Sequence, residues 1–107
     1  MITLTLPMPP SSNRYWRYYR GHPTLSEEAK DYKNLVKSML HGMEPLTGDV
    51  IVHIYVYRGL KSGDLDNRLK IVLDSLNGLV YVDDSQIVEI HAKRFDDKTD
   101  PRIVVRV

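Results

Sequence analysis

With 107 residues, 42% of them hydrophobic and 27% charged, the chain has the size and composition of one small folded domain, not of a disordered, collagen-like or low-complexity segment. Lys and Arg number 15 against 14 Asp and Glu, a net charge of +1 that excludes a globally basic nucleic-acid coat, and the lack of cysteine excludes disulfides, Cys-ligated zinc, iron–sulfur clusters and thiol nucleophiles. No apolar run approaches the ~18 residues that span a bilayer, and the opening MITLTLPMPP has no basic leader, so the expected setting is a reducing cytoplasm without a membrane partner.

Ile2, Leu4 and Leu6 alternate with Thr3 and Thr5, the period of a strand, and Pro7, Pro9 and Pro10 stop it because proline gives a ladder no N–H. From Pro9 to Pro23 no period is visible, and a loop is expected there; its length for a small domain favours a functional role. Thr24 or Ser26 is the expected N-cap of a helix, Thr24 with Glu27 having the spacing of a capping box. Ala29, Tyr32, Leu35, Val36, Met39, Leu40 and Met43 then recur at three and four, one apolar stripe closed by Gly42 and Pro45. Val50, Val52, Ile54 and Val56 alternate with Ile51, His53, Tyr55 and Tyr57, a strand with both faces at least half buried. A loop at 59–63 precedes a helix from about Asp66 to Leu76, carried by Leu65, Leu69, Val72, Leu73 and Leu76 and ended by Asn77-Gly78. Asp83-Asp84 lies in the next turn, Gln86 to Arg94 reads as strand, and Ile103, Val105 and Val107 as a last strand. The order β-α-β-α-β-β predicts an α+β fold, a mixed sheet with two main helices in a single domain over 1–107.

Charge is unevenly placed. Residues 1–25 hold Arg14, Arg17 and Arg20 with no acid, whereas from Asp74 onward seven acids face five bases. In Gly63-Asp64-Leu65-Asp66-Asn67-Arg68-Leu69-Lys70 two carboxylates flank one residue where loop becomes helix. The competing structural reading makes Asp64 or Asp66 an N-cap, worth about 1 kcal/mol, and Asp66 with Lys70 an ordinary helical ion pair. Asp83-Asp84 likewise reads either as a solvated polar turn or as further acids of the same site. Were these segments to meet, the clustered carboxylates would repel one another and take a hard divalent cation, Mg²⁺ or Mn²⁺. His22, His41, His53 and His91 lack zinc-ligand spacing and read as structural or surface residues. In the third feature, Pro10 to Gly21, Arg14, Arg17 and Arg20 interleave with Tyr15, Trp16, Tyr18 and Tyr19. Arginine forks grip phosphates and aromatic faces stack on bases; the alternative is a loop whose aromatics cover the core. Together the basic-aromatic loop and the acids point to a metal-dependent enzyme acting on phosphodiesters.

The motifs Pro9-Pro10-Ser11-Ser12-Asn13-Arg14-Tyr15, Tyr32 within a helix opening at Ser26, Asp64-Leu65-Asp66-Asn67, Lys70 and Val82-Asp83-Asp84-Ser85-Gln86 together resemble the RusA family of Holliday junction resolvases. The resemblance implies a homodimer that binds four-way junction DNA and nicks it symmetrically with Mg²⁺, in DNA recombination and repair. It implies Asp64, Asp66 and Asp84 as catalytic metal ligands, their acidic neighbour Asp83 as a further metal residue, and Lys70 as the catalytic lysine. Asn13, Arg14, Tyr15, Arg17 and Arg20 are the expected DNA contacts. Gly63 stands where some members carry an arginine directly before the first acid. A non-catalytic DNA-binding module of the same fold and a protein-interaction domain are the alternative readings.

Overall fold

The computed structural model describes residues 2–10, 16–59 and 65–107, with the backbone alone described at 16–19 and 65–67. In chain order the elements are β1 (Thr3–Leu6), β2 (Trp16–Tyr19), β3 (His22–Leu25), α1 (Glu27–Met39), β4 (Val50–Arg58), α2 (Leu65–Leu76), a 3₁₀ turn (Asp84–Gln86), β5 (Ile87–Asp96) and β6 (Arg102–Arg106). The main sheet runs β1-β6-β4-β5, antiparallel except for the β4–β5 pair, which is parallel and joined by α2. The expected α+β fold is therefore the observed one.

One face of this sheet carries the core. Val52, Ile54 and Val56 of β4 and Ile103 and Val105 of β6 are fully buried and pack with Leu6, with Tyr32, Val36 and Leu40 along α1, and with Val72 and Leu76 of α2. Each such side chain, once removed from water, contributes about 1.5–3 kcal/mol, which is why the alternation in β4 and the stripes of the helices carry so much of the fold. Among the described residues no helix covers the other face. There Ile51 is exposed and His53, Tyr55 and Tyr57 are half-buried, with His53 stacked on His91 of β5 at 4.7 Å and Tyr57 on Phe95 at 4.9 Å. The Arg102 guanidinium lies 3.9 Å from the centre of the Tyr57 ring.

Three expectations need correction. The stretch from Pro9 to Pro23 is not one loop, because β2 and β3 form a two-stranded antiparallel hairpin within it. Its turn, Arg20-Gly21, has both residues at positive φ (50° and 79°), the twist a two-residue hairpin requires, and Pro23 is tolerated because both strands are edges. The Thr24–Glu27 capping box is not the one used: Thr24 belongs to β3, and Ser26, the other expected N-cap, caps α1, its Oγ accepting from the Ala29 N–H at 3.1 Å. The helix also stops before Met43, with Leu40 as C-cap. By contrast Asn77-Gly78 ends α2 as expected, Gly78 taking φ 81° and donating its N–H to the Tyr81 carbonyl at 2.8 Å.

Candidate active site

The N-terminus of α2 follows the C-terminal end of β4, so the sheet delivers the chain to the place where the first acidic segment begins. Asp64 lies outside the described residues, and Asp66 is placed by its backbone in the first turn of α2. Lys70 comes one helical turn later and is solvent-exposed. Two arginines that the sequence reading gave no role stand at this end. Arg68, half-buried, brings Nη1 to 4.0 Å from the Met8 sulfur, and burial, reinforced by the charge of Arg58, holds its pKa below the usual guanidinium value. Arg58 ends β4 and is paired with Asp96 across the parallel ladder. Cations thus gather where the acidic segment starts, which favours holding an anion there. The nearest sequence signal was the alternation of charge within Asp64–Lys70.

The second acidic segment is built differently. Asp83 caps the 3₁₀ turn: its Oδ2 accepts from Ser85 N–H at 3.2 Å while Gln86 Oε1 accepts from Asp83 N–H at 2.9 Å, a closed capping box. The bond from Ser85 holds the Asp83 carboxyl below its ordinary pKa. Gln86 also donates through Nε2 to the Leu46 and Gly48 carbonyls at 2.9 and 2.8 Å, clamping the turn to the segment that leads into β4. This clamp was not foreseen, although the glutamine stood in the motif. Asp84 is exposed, and its charge acts on Tyr81, whose hydroxyl donates to the Leu73 carbonyl at 2.7 Å and whose pKa burial pushes up.

Between the two segments runs α2. From Asp66 to Leu76 its axis advances about 15 Å at 1.5 Å per residue. Asp84 follows the far end of the helix, beside the start of β4, whereas Asp66 stands at the end where β4 finishes. Among the described residues no three or more His, Asp or Glu side chains are grouped to hold a metal. Carboxylate oxygens remain the donor type that Mg²⁺ prefers, and the Asp84 carboxylate is open to solvent.

Of the expected DNA contacts, Asn13, Arg14 and Tyr15 lie outside the described residues. Arg17 is in β2, opposite Thr24, and Arg20 is exposed at the hairpin turn. The Tyr32 hydroxyl donates to the Pro7 carbonyl at 2.8 Å, so α1 anchors the chain just before that basic-aromatic stretch. His53 and His91, read as structural or surface residues, stack on the open sheet face, with His91 Nε2 at 3.3 Å from Glu89.

A comparison with known families decides the kinship: the profile described as Endodeoxyribonuclease RusA matches residues 7–107. The chain belongs to the RusA family. It is 34% identical over 91 residues to the crossover junction endodeoxyribonuclease rusA of Enterobacteria phage 82, covering 80% of this chain and 76% of that one. The RusA protein of Shigella sonnei strain Ss046, of the same description, is 33% identical over 92 residues, covering 81% and 77%. The RusA protein of Escherichia coli strain K12 gives the same identity and coverage. The RusA match takes in both acidic segments, Lys70 and the basic-aromatic stretch. No helix among the described residues is long and apolar enough to cross a membrane.

Proposed function

We propose that this chain is a Mg²⁺-dependent endodeoxyribonuclease that resolves four-way DNA junctions by paired symmetric nicks, acting as a homodimer in recombination and repair. The observation that carries this reading is the RusA match over residues 7–107, which includes Asp64, Asp66, Lys70 and Asp84. A family of endodeoxyribonucleases supplies the reaction class, and the junction is the substrate in the names of the relatives. Two-fold symmetry of the enzyme suits a target with two equivalent scissile positions.

In this reading Asp64, Asp66 and Asp84 supply hard oxygen ligands. Asp83, whose Oδ2 is committed to its cap, positions Asp84 next to it. Bound Mg²⁺, or Mn²⁺ in its place, contributes Lewis acidity toward the scissile phosphate and lowers the pKa of water. Lys70, a compact ammonium in solvent one turn beyond Asp66, neutralises charge that builds on the phosphate oxygens. Arg58 and Arg68 add positive potential at the same end, and Asn13, Arg14, Tyr15, Arg17 and Arg20 hold the flanking DNA.

A synthetic four-way junction assayed in parallel for nicking and for gel-shift affinity tests this. Asp66→Asn should abolish Mg²⁺-dependent nicking while affinity without metal stays level or rises, because an acid beside a polyanion repels it. Lys70→Ala should also lose nicking but bind slightly less well. Arg14→Ala and Arg17→Ala should each lower the salt slope of binding by about 0.9. Full nicking by Asp66→Asn would overturn the proposal.

A further inference from the structure

Two rows of stacked side chains cross the open face of the main sheet, and both end on β5. In the first, His53 of β4 meets His91 of β5 with ring centres 4.7 Å apart and planes 11° from parallel. In the second, the Arg102 guanidinium of β6 lies 3.9 Å from the centre of the Tyr57 ring of β4, which is 4.9 Å from that of Phe95 of β5, the two rings 19° from parallel. The members of each row are register partners on neighbouring strands. Their spacing matches the ~4.8 Å between strands, so each row runs across the sheet with its rings side by side. His91 and Phe95 come last in their rows and turn a second ring face toward the sheet edge, because among the described residues β5 pairs with β4 alone. Phe95 is 41% exposed and the His91 side chain 56%.

Lys93 stands midway between these two rings on the same face. Lys93 and Arg106 make no ion pair among the described residues, whereas Arg102 is paired with Asp97. Glu89, 3.3 Å from His91, is the acid of β5 on this side, so the cations of the face outnumber its acids. From these rows we infer that the β5 margin of the open face binds an unpaired DNA strand, with one base stacked on Phe95, a second on His91, and the backbone between them held by Lys93. The inference rests on the DNA substrate of the proposed function and adds a single-strand site to it. Aromatic faces accept any base and cations track the phosphates, the combination that single strands use. The two rings are about 13 Å apart, four residues at 3.3 Å each, so they do not take adjacent bases at the ~3.4 Å spacing of a duplex strand. A base inside a duplex has no free face to offer either ring. Each terminal ring is already ordered from behind, Phe95 by Tyr57 and Arg102, His91 by His53, so little rotamer freedom is lost when a base arrives. Phe95 also lies beside Tyr57 near the end of β4, so this margin starts at the sheet end from which the Asp66 segment is reached.

A dye-labelled oligothymidylate, titrated by fluorescence anisotropy with Mg²⁺ withheld, tests the site. Phe95→Ala and His91→Ala should each weaken binding about tenfold, the loss of one stacked base, and Phe95→Trp should preserve it. Lys93→Ala should lower the salt slope by about 0.7, the value for one phosphate of a single strand, whereas Lys37→Ala on α1 should leave the slope unchanged. Circular dichroism and sedimentation should match the parent in every variant. A parent that nicks junctions but does not bind the oligonucleotide, or binds it equally well after Phe95→Ala and His91→Ala, overturns the inference and leaves the nuclease proposal intact. Loss of binding that accompanies a change in the sedimenting species would assign this face to a second copy of the chain and likewise overturn the inference. Oligonucleotide binding that depends on Phe95 and His91 in a protein that never nicks a junction overturns the nuclease proposal and leaves the single-strand site.

Discussion

The two acidic segments of this chain look alike in sequence and differ in how the fold holds them. Asp83-Asp84 sits in a turn closed by its own cap and clamped through Gln86 to Leu46 and Gly48. Asp66 is placed by its backbone in the first turn of α2, after β4 has ended. One segment is fixed by short-range hydrogen bonds, the other is placed by topology. A pair of aspartates is therefore not a unit of meaning; the bonds around it decide whether it is rigid scaffolding, a ligand or both.

The largest expected effect asks whether the two segments act in one protomer or across two. Asp66→Asn protomers mixed with Asp84→Asn protomers should regain nicking on a labelled junction, and the recovered products should be single nicks, because one intact set per heterodimer remains. No recovery would mean that each protomer carries its own complete set. Next comes the clamp. Gln86→Ala removes both donors to Leu46 and Gly48 and the acceptor for Asp83 N–H, and should cost about 1–3 kcal/mol in denaturant unfolding. Nicking should fall further than stability accounts for, since the turn that carries Asp84 loosens; an unchanged rate in the folded variant would reduce Gln86 to a structural role.

The smallest effect is one of pH. Asp83 is held below the ordinary carboxylate pKa by Ser85, so it contributes stability that is complete above the unfolded value and is lost as pH falls through the folded one. Asp83→Asn keeps a capping oxygen but no longer titrates. Its melting temperature should lie at or a little below the parent's at neutral pH and fall less as the pH drops below the ordinary carboxylate range. An acid limb identical in the two proteins would show that the cap does not depend on charge.

Much of this was legible in the residues. β4 and both helices follow from periods of two and of about 3.6, because buried valines and leucines admit few alternatives. The β2–β3 hairpin was not legible: Trp16-Arg17-Tyr18-Tyr19 has no alternation, and its turn puts an arginine at positive φ where asparagine is the usual signal. At the site, residue types and spacing were visible but separation was not. The helix between the two halves was legible, but not that Arg68, half-buried beside Met8, feels the charge of Arg58. Such facts depend on where distant strands place the chain, which no local window contains.

The clamp of Gln86 has a consequence for how the protein comes to be active. Its two bonds span 40 and 38 residues of sequence, and they close only after β4, α2 and the return of the chain have been laid down. Contacts of that span carry a large loop-closure cost and form late, and parallel strand pairs form slowly for the same reason. A nascent or partly folded chain can already hold α1 and the β2–β3 hairpin while its acidic turn is still adrift. The placing of the acidic turn thus waits on a closure that no local segment can make by itself.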